Sequence, residues 1–426
     1  MNILNYAGVA VLLAAPGFVS GAEGVSDKML RLEADANGGS AEAMVELAAA
    51  YHGGSGGAVD VELAVMWLRR AASAGFKEAH VWLGEMHETG TGVPRDLVAA
   101  RREYEIAAQA GVQSANFRLG LMHFEGWSVP REPETALAFF KIAAEADYVP
   151  AQRILADILM FGYRVPKDPD AALMWAERAA AVGDPAAAER IGTAYFGGLG
   201  VKRDIKSARE WYLVSSEDEY IEAMKNMART YFTAERTREN FEKTVHWLEL
   251  AVEAGSQHAN FILAGIYMSR SPREPHFGPM ARDHLRLAAE GGFDEAIEVE
   301  SLEKSGMTLF EAMRYVWTTP EADRYARSWN SKHEDPRNSP PKIIGPLRPK
   351  YPEGLQLIET EGRVVLRFVV GKDGSVGDIE VVSSTHPGFE ENAIIALRDC
   401  QFSPGVKNGR SVATNMQLPI RFQFRN

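Results

Sequence analysis

Apolar residues recur through the first three hundred positions with two nested periods. The short one is helical: Ala43, Leu47 and Tyr51 stand four apart, and offsets of four and eight keep side chains on one helix face. The long one is 36 residues. Ala43, Ala79, Ala115, Ala151, Ala187, Ala223 and Ala259 hold it without a slip. Behind them run Leu47-Ala48, Leu83-Gly84, Leu119-Gly120, Leu155-Ala156, Ile191-Gly192, Met227-Ala228 and Leu263-Ala264. Trp67, Trp175, Trp211 and Trp247 are separated by multiples of the same 36, each near an Ala-Ala pair or its equivalent. The pattern predicts a unit of helix A, loop, helix B and turn. A unit of that size cannot bury its own apolar face, so the units must stack into an all-α solenoid. The tryptophans are expected in its core, where burying each is worth roughly 2–3 kcal/mol. Small residues such as Gly84, Gly120 and Gly192 are expected to let neighbouring helices approach closely.

The punctuation keeps the same step. Gly54, Gly90, Gly126, Gly162 and Gly198 stop helix A, because glycine adopts the left-handed helix-ending conformation without a Cβ penalty. The loops then read Val93-Pro94-Arg95-Asp96, Val129-Pro130-Arg131-Glu132, Val165-Pro166-Lys167-Asp168 and Val201-Lys202-Arg203-Asp204. The acidic residue falls where a carboxylate caps the free N–H groups of helix B. The array is expected to occupy 27–305, opening on a half repeat at 27–37. Its end is less regular: Asp147 and Glu219 replace turn glycines, residues 233–240 and 269–279 lose the loop motif, and His284 marks a one-residue slip. A capping element is expected over 306–329 and a polar, proline-rich linker over 330–342.

Beyond the linker the period changes to two. Val364, Leu366, Phe368 and Val370 alternate, Gly371-Lys372-Asp373-Gly374 makes a tight turn, and Val376 to Ser384 returns, a hairpin with one apolar face. Pro387 and Glu390-Glu391 open a helix to about Cys400. Leu418, Ile420, Phe422 and Phe424 alternate in a last strand. Pro419 cannot donate to a ladder, which places this strand at a sheet edge. The fold class is therefore a solenoid followed by a small α+β domain, 343–426, with a three-stranded antiparallel sheet.

Composition sets bounds. The net charge of −12 is uneven, with the acid concentrated in residues 1–330. An acidic array with no basic stripe argues against nucleic acid and anionic membranes. A single cysteine, Cys400, excludes an internal disulfide and a cysteine metal site. The short apolar run Ala7 to Ala15, broken by Pro16-Gly17 and followed by small residues, has the shape of a secretory signal peptide, 1–22. The alternative is an uncleaved inner-membrane anchor.

The repeat resembles the Sel1-like family, relatives of tetratricopeptide repeats. That resemblance implies a right-handed superhelix with concave surfaces that bind proteins or peptides. The last module is similar to the TonB C-terminal domain. The marks run through Pro349-Lys350-Tyr351-Pro352, Glu361-Gly362, Asp373-Gly374-Ser375-Val376, Ala396-Leu397, Phe402-Ser403-Pro404, Gly409 and Ile420-Arg421-Phe422. This second resemblance implies a periplasmic domain of two helices and three antiparallel strands. Its last strand takes up the TonB box of an outer-membrane transporter by strand addition. The implied peptide-binding residues are Arg348, Lys350 and Tyr351 with Leu418, Ile420, Phe422 and Phe424.

Catalytic constellations are not legible. His87 and His123 occupy the aromatic slot of helix A, which reads as packing and not as metal binding. Gly53 to Gly57 falls on a repeat loop with no following Lys-Ser/Thr, so it is not a phosphate cradle. The recurrent aspartates stand one per repeat, as caps do. No enzyme activity, cofactor, metal, nucleic acid or small-molecule substrate is expected. The expected function is a periplasmic adaptor linked to transmembrane transport, with an outer-membrane TonB-dependent transporter or another envelope protein as partner. The alternative is an envelope scaffold or signalling adaptor whose module only docks or dimerises.

Overall fold

The computed structural model describes residues 22–55, 58–217, 219–304, 306–318, 338–344, 347, 349–352, 362–385 and 387–422. A helix, Ala22–Asn37, opens the array, and eight helical hairpins follow among the described residues. They are Ala41–Gly53 with Val61–Ser73, Glu78–Thr89 with Leu97–Gln109, Gln113–Glu125 with Pro133–Glu145, and Val149–Phe161 with Pro169–Ala180. Then come Pro185–Gly197 with Ile205–Ser216, Ile221–Phe232 with Arg238–Glu253, Gln257–Arg270 with Phe277–Glu290, and Asp294–Lys304 with Leu309–Thr318. Each hairpin packs on the next, so the apolar stripes close into a continuous stack.

Two expected boundaries move. The opening half repeat is a full helix beginning at Ala22. The expected capping element is the second helix of an eighth hairpin, with Leu309, Ala312, Met313 and Val316 buried against Ala296 and Val299. Residues 1–21 of the expected leader, 1–22, and the remainder of the cap, 319–329, lie outside the described residues.

The tryptophans are not the spine they were expected to be. Trp67 and Trp175 are buried, but Trp211 and Trp247 are only half-buried. The buried line runs one residue later: Leu68, Tyr104, Phe140, Ala176, Tyr212 and Leu248, all at 2% exposure or less. This position is matched in size by the small slot of helix A. A Cβ on Gly84 would stand 2.4 Å from the ring of Tyr104. On Gly120 it would stand 2.5 Å from Phe140, and on Gly192 2.7 Å from Tyr212. Where helix B carries Leu68, Ala176 or Leu248 the small slot holds Ala48, Ala156 or Ala228. Glycine stands where the facing residue is aromatic.

Each loop closes on its own helix A. The N–H groups of Asp60, Asp96, Glu132, Asp168 and Asp204 donate to the carbonyls of Tyr51, His87, His123, Leu159 and Tyr195 at 2.9–3.0 Å. The aspartates then cap helix B, accepting from Leu63, Ala99, Ala171 and Lys206. Glu132 makes no such side-chain cap. The sixth hairpin has lost the loop motif, and Thr237 takes over the cap by accepting from Asn240 N–H.

Among the described residues the C-terminal module contains six strands: β1 Asn338–Ser339, β2 Gly362–Val370, β3 Val376–Ser384, β4 Gly405–Lys407, β5 Arg410–Val412 and β6 Thr414–Phe422. The main antiparallel sheet has the order β3-β2-β6. Helix Glu390–Asp399 covers one face, burying Ala393, Ala396 and Leu397 with Val364, Leu366, Phe368 and Val370. A second small sheet, β1-β4-β5, was not expected. It forms because the end of the presumed linker belongs to the module. Asn338 and Ser339 pair with Lys407 and Val406, and Ser403 N–H donates to Lys342 C=O at 2.8 Å. Residues 330–337 and 353–361 lie outside the described residues. Among those described the module has one α-helix, where the resemblance implied two.

Candidate protein-binding site

β6 pairs with β2 from Gly362↔Phe422 to Val370↔Thr414, and no strand pairs its other edge among the described residues. Proline fixes which atoms face that edge. Residues of an antiparallel pair alternate between hydrogen-bonded and non-hydrogen-bonded positions. Pro419 has no N–H, so its pairing with Val365 is of the second kind. Met416, Leu418, Ile420 and Phe422 therefore bond to β2. Asn415, Gln417 and Arg421 turn both N–H and C=O outward, and Pro419 turns out a carbonyl alone. An incoming strand would find this ladder with a single donor missing.

The same alternation revises the expected binding set. The side chains of Leu418, Ile420 and Phe422 are buried under the module's helix, so they cannot touch a peptide. They shape the strand from beneath. Asn415, Gln417, Pro419 and Arg421, which the expected set omits, carry the outward edge, and Pro419 holds the signal that fixes the register. Lys350 and Tyr351 are brought to the end of β6. Tyr351 meets Phe389 and Phe422 edge-on at 5.6 and 6.1 Å between ring centroids. The Lys350 carbonyl accepts from Asn392 Nδ2 at 2.7 Å. Arg348 and Phe424 lie outside the described residues.

The module's helix faces the array. Arg95 in the loop of the second hairpin donates to Glu390 at 2.7 Å, and Arg131 in the third lies 3.8 Å from Glu391. On the opposite side of the module, Arg421 contacts Asp294 at the start of the eighth hairpin. A cavity of about 170 Å³ lies between the two parts. Trp127, Arg131 and Arg164 line it from the array, and Lys350, Tyr351 and Ile395 from the module. Arg95, Arg131, Lys167 and Arg203 occupy one slot of successive loops, spaced 36 apart. The array thus carries a basic ladder at its loops, which the net acidity had concealed.

Other reactive groups have structural surroundings. Burial pushes the Cys400 thiol up to about 11, so it is protonated at neutral pH. His123 stacks on Phe139, ring centroids 5.5 Å apart. The described residues contain no group of three His, Cys, Asp or Glu side chains placed to hold a metal. No helix among them is long and apolar enough to cross a membrane.

Fold and surface together define a helical-repeat solenoid that ends in an α+β domain with an unpaired strand edge. Six segments, 41–76, 77–112, 113–148, 149–184, 185–218 and 221–256, match the Sel1 repeat, and residues 348–424 match the Gram-negative bacterial TonB protein C-terminal domain. The chain belongs to the Sel1-repeat family and carries a TonB C-terminal domain at its end. Protein TonB of Escherichia coli strain K12 is 30% identical over 83 residues, which is 19% of this chain and 34% of that protein. The chain thus spans about a third of that relative's length. Among solved structures, c5321, a protective antigen of uropathogenic Escherichia coli with an SLR fold, superposes with a TM-score of 0.52 at 24% identity. The match covers 72% of each chain. A Sel1 repeat protein from Oxalobacter formigenes gives 0.46 at 26% identity, over 50% of this chain and 88% of its own.

Proposed function

We propose that the protein is a periplasmic, TonB-family adaptor that binds a protein partner through its Sel1 array and takes up an extended peptide on β6. The peptide would be the TonB box of an outer-membrane transporter, which links the protein to transmembrane transport. In this reading residues 1–22 are an export signal, and 330–337 belong to a linker between array and module. The observation that carries it is the outward main chain of Asn415, Gln417 and Arg421 on an unpaired edge. Strand addition takes its affinity from such groups, and natural proteins seldom leave them open without a use.

Gln417→Pro tests the reading directly. It deletes an edge-facing N–H while sparing the bonds to β2, whereas a proline at Ile420 would break the sheet itself. Titrated with a TonB-box peptide, the variant should bind about tenfold more weakly, the worth of one hydrogen bond near 1.4 kcal/mol. Equal affinity in a folded variant rejects β6 as the acceptor. The second reading, a scaffold whose module only docks, is favoured by the Arg95–Glu390 and Arg131–Glu391 pairs.

A further inference from the structure

We propose that the loop edge of the second to fourth hairpins is a receptor for the chain's own C-terminal module, and that this docking competes with peptide capture beside Tyr351. The docking stands without the peptide reading. The competition rests on it.

Charge gives the first argument. The outer side of helix Glu390–Asp399 presents two adjacent carboxylates, and they meet two successive steps of the basic ladder. The pairs join positions 295 and 260 residues apart, from an array with an excess of acid. Apposition of this sign on both steps is complementarity, as at an interface between partners.

Backbone geometry gives the second. In the second to fifth hairpins the loop position two residues after the helix-stop glycine has positive φ. Gly92 and Gly200 fill it at φ 70° and 72°, but the third and fourth hairpins place Ser128 and Arg164 there at φ 58° and 60°. An arginine in the left-handed region is strained, and such strain persists where surroundings hold it. Arg164 donates to the Phe124 carbonyl at 2.5 Å and to Glu125 at 3.0 Å, and its guanidinium lies 4.8 Å from the Phe124 ring centre. It thereby becomes a fixed wall of the cavity facing Lys350 and Tyr351. In the preceding loop, Trp127 stands where the second hairpin has Thr91 and lines the same cavity. The repeats depart from their own pattern where the module sits.

The consequence follows from position. Lys350 and Tyr351, assigned to the peptide by resemblance, are walled by array residues in the docked form. A peptide reaching the end of β6 would need the space that Trp127 and Arg131 now border. The ion pairs are partly exposed, so salt screens them and the docking is reversible.

The test uses the full chain. Hydrogen exchange is followed at 126–131 and 388–395 in the parent, in Glu390→Arg/Glu391→Arg, in Arg95→Glu/Arg131→Glu, and in the fourfold charge swap. Both double variants should exchange faster at both segments, roughly 5–30-fold for a loss of one or two kcal/mol. The fourfold swap should restore protection, and the hairpin 185–216 should stay unchanged as the control for folding. Unchanged exchange in both double variants overturns the docking. A TonB-box peptide is then titrated into each form. Tighter binding by the double variants supports competition, and equal binding overturns it while the exchange result stands. Binding by no form refutes the peptide reading and the competition together.

Discussion

Side-chain volume is matched within single repeats. The aromatic that follows the tryptophan slot needs a glycine opposite, as Phe140 does Gly120. Gly120→Ala should destabilise the array by about 1–3 kcal/mol, the usual cost of overpacking. Phe140→Leu leaves a smaller side chain, like that found with Ala48 or Ala228. Added to Gly120→Ala it should recover part of that loss, so denaturant unfolding of the four-member cycle should show positive coupling. Simple additivity would mean that the two positions do not share the space. This match was only half legible. The spacing marks the glycines as close-approach sites but names no partner for them. The tryptophan recurs as one residue type, whereas the buried slot beside it is filled in turn by Leu, Tyr, Phe, Ala, Tyr and Leu. The signal that finds it is the pairing of glycine with aromatic and alanine with non-aromatic across one repeat.

Helices and strands were the most legible scale, because stops, caps and apolar period repeat with the same 36-residue step. Helix B begins at an acidic residue whose N–H ties back to helix A and whose carboxylate caps the new helix. The Ala99 N–H holds the Asp96 carboxyl below its ordinary range, and the Ser207 hydroxyl followed by Lys206 N–H does so for Asp204. A pKa lowered on folding adds stability above the unfolded value of about 3.9, and that stability fades as pH falls through the folded value. Thermal melts of the parent should therefore lose stability in that acid window. Asp96→Asn/Asp204→Asn keeps capping oxygens that do not titrate, so its melting temperature should fall less steeply there. Parallel acid profiles would mean that these carboxylates contribute nothing. In the module, the strand alternation fixed β2, β3 and β6, but β1, β4 and β5 were missed. They are two or three residues long, too short for a period to register.

The whole molecule was least legible. Nothing periodic connects Arg95 with Glu390 or Arg421 with Asp294, and net charge averaged away a basic slot recurring once per loop. Distant parts of the chain are nonetheless brought together: the module touches the loops of the second and third hairpins through its helix and the eighth hairpin through β6. The array is then more than a spacer, since it holds the module whose strand edge it adjoins. Leu418, Ile420 and Phe422 lie buried beneath β6, so in the proposed strand addition recognition would fall to main chain and to Asn415, Gln417 and Arg421. Residue-resolved amide exchange of the full chain with a TonB-box peptide tests this claim most directly. On binding, the Asn415, Gln417 and Arg421 amides should slow strongly, while Met416, Leu418 and Ile420, already bonded to β2, change little. A bound peptide that leaves the three outward amides unprotected would contradict strand addition at β6.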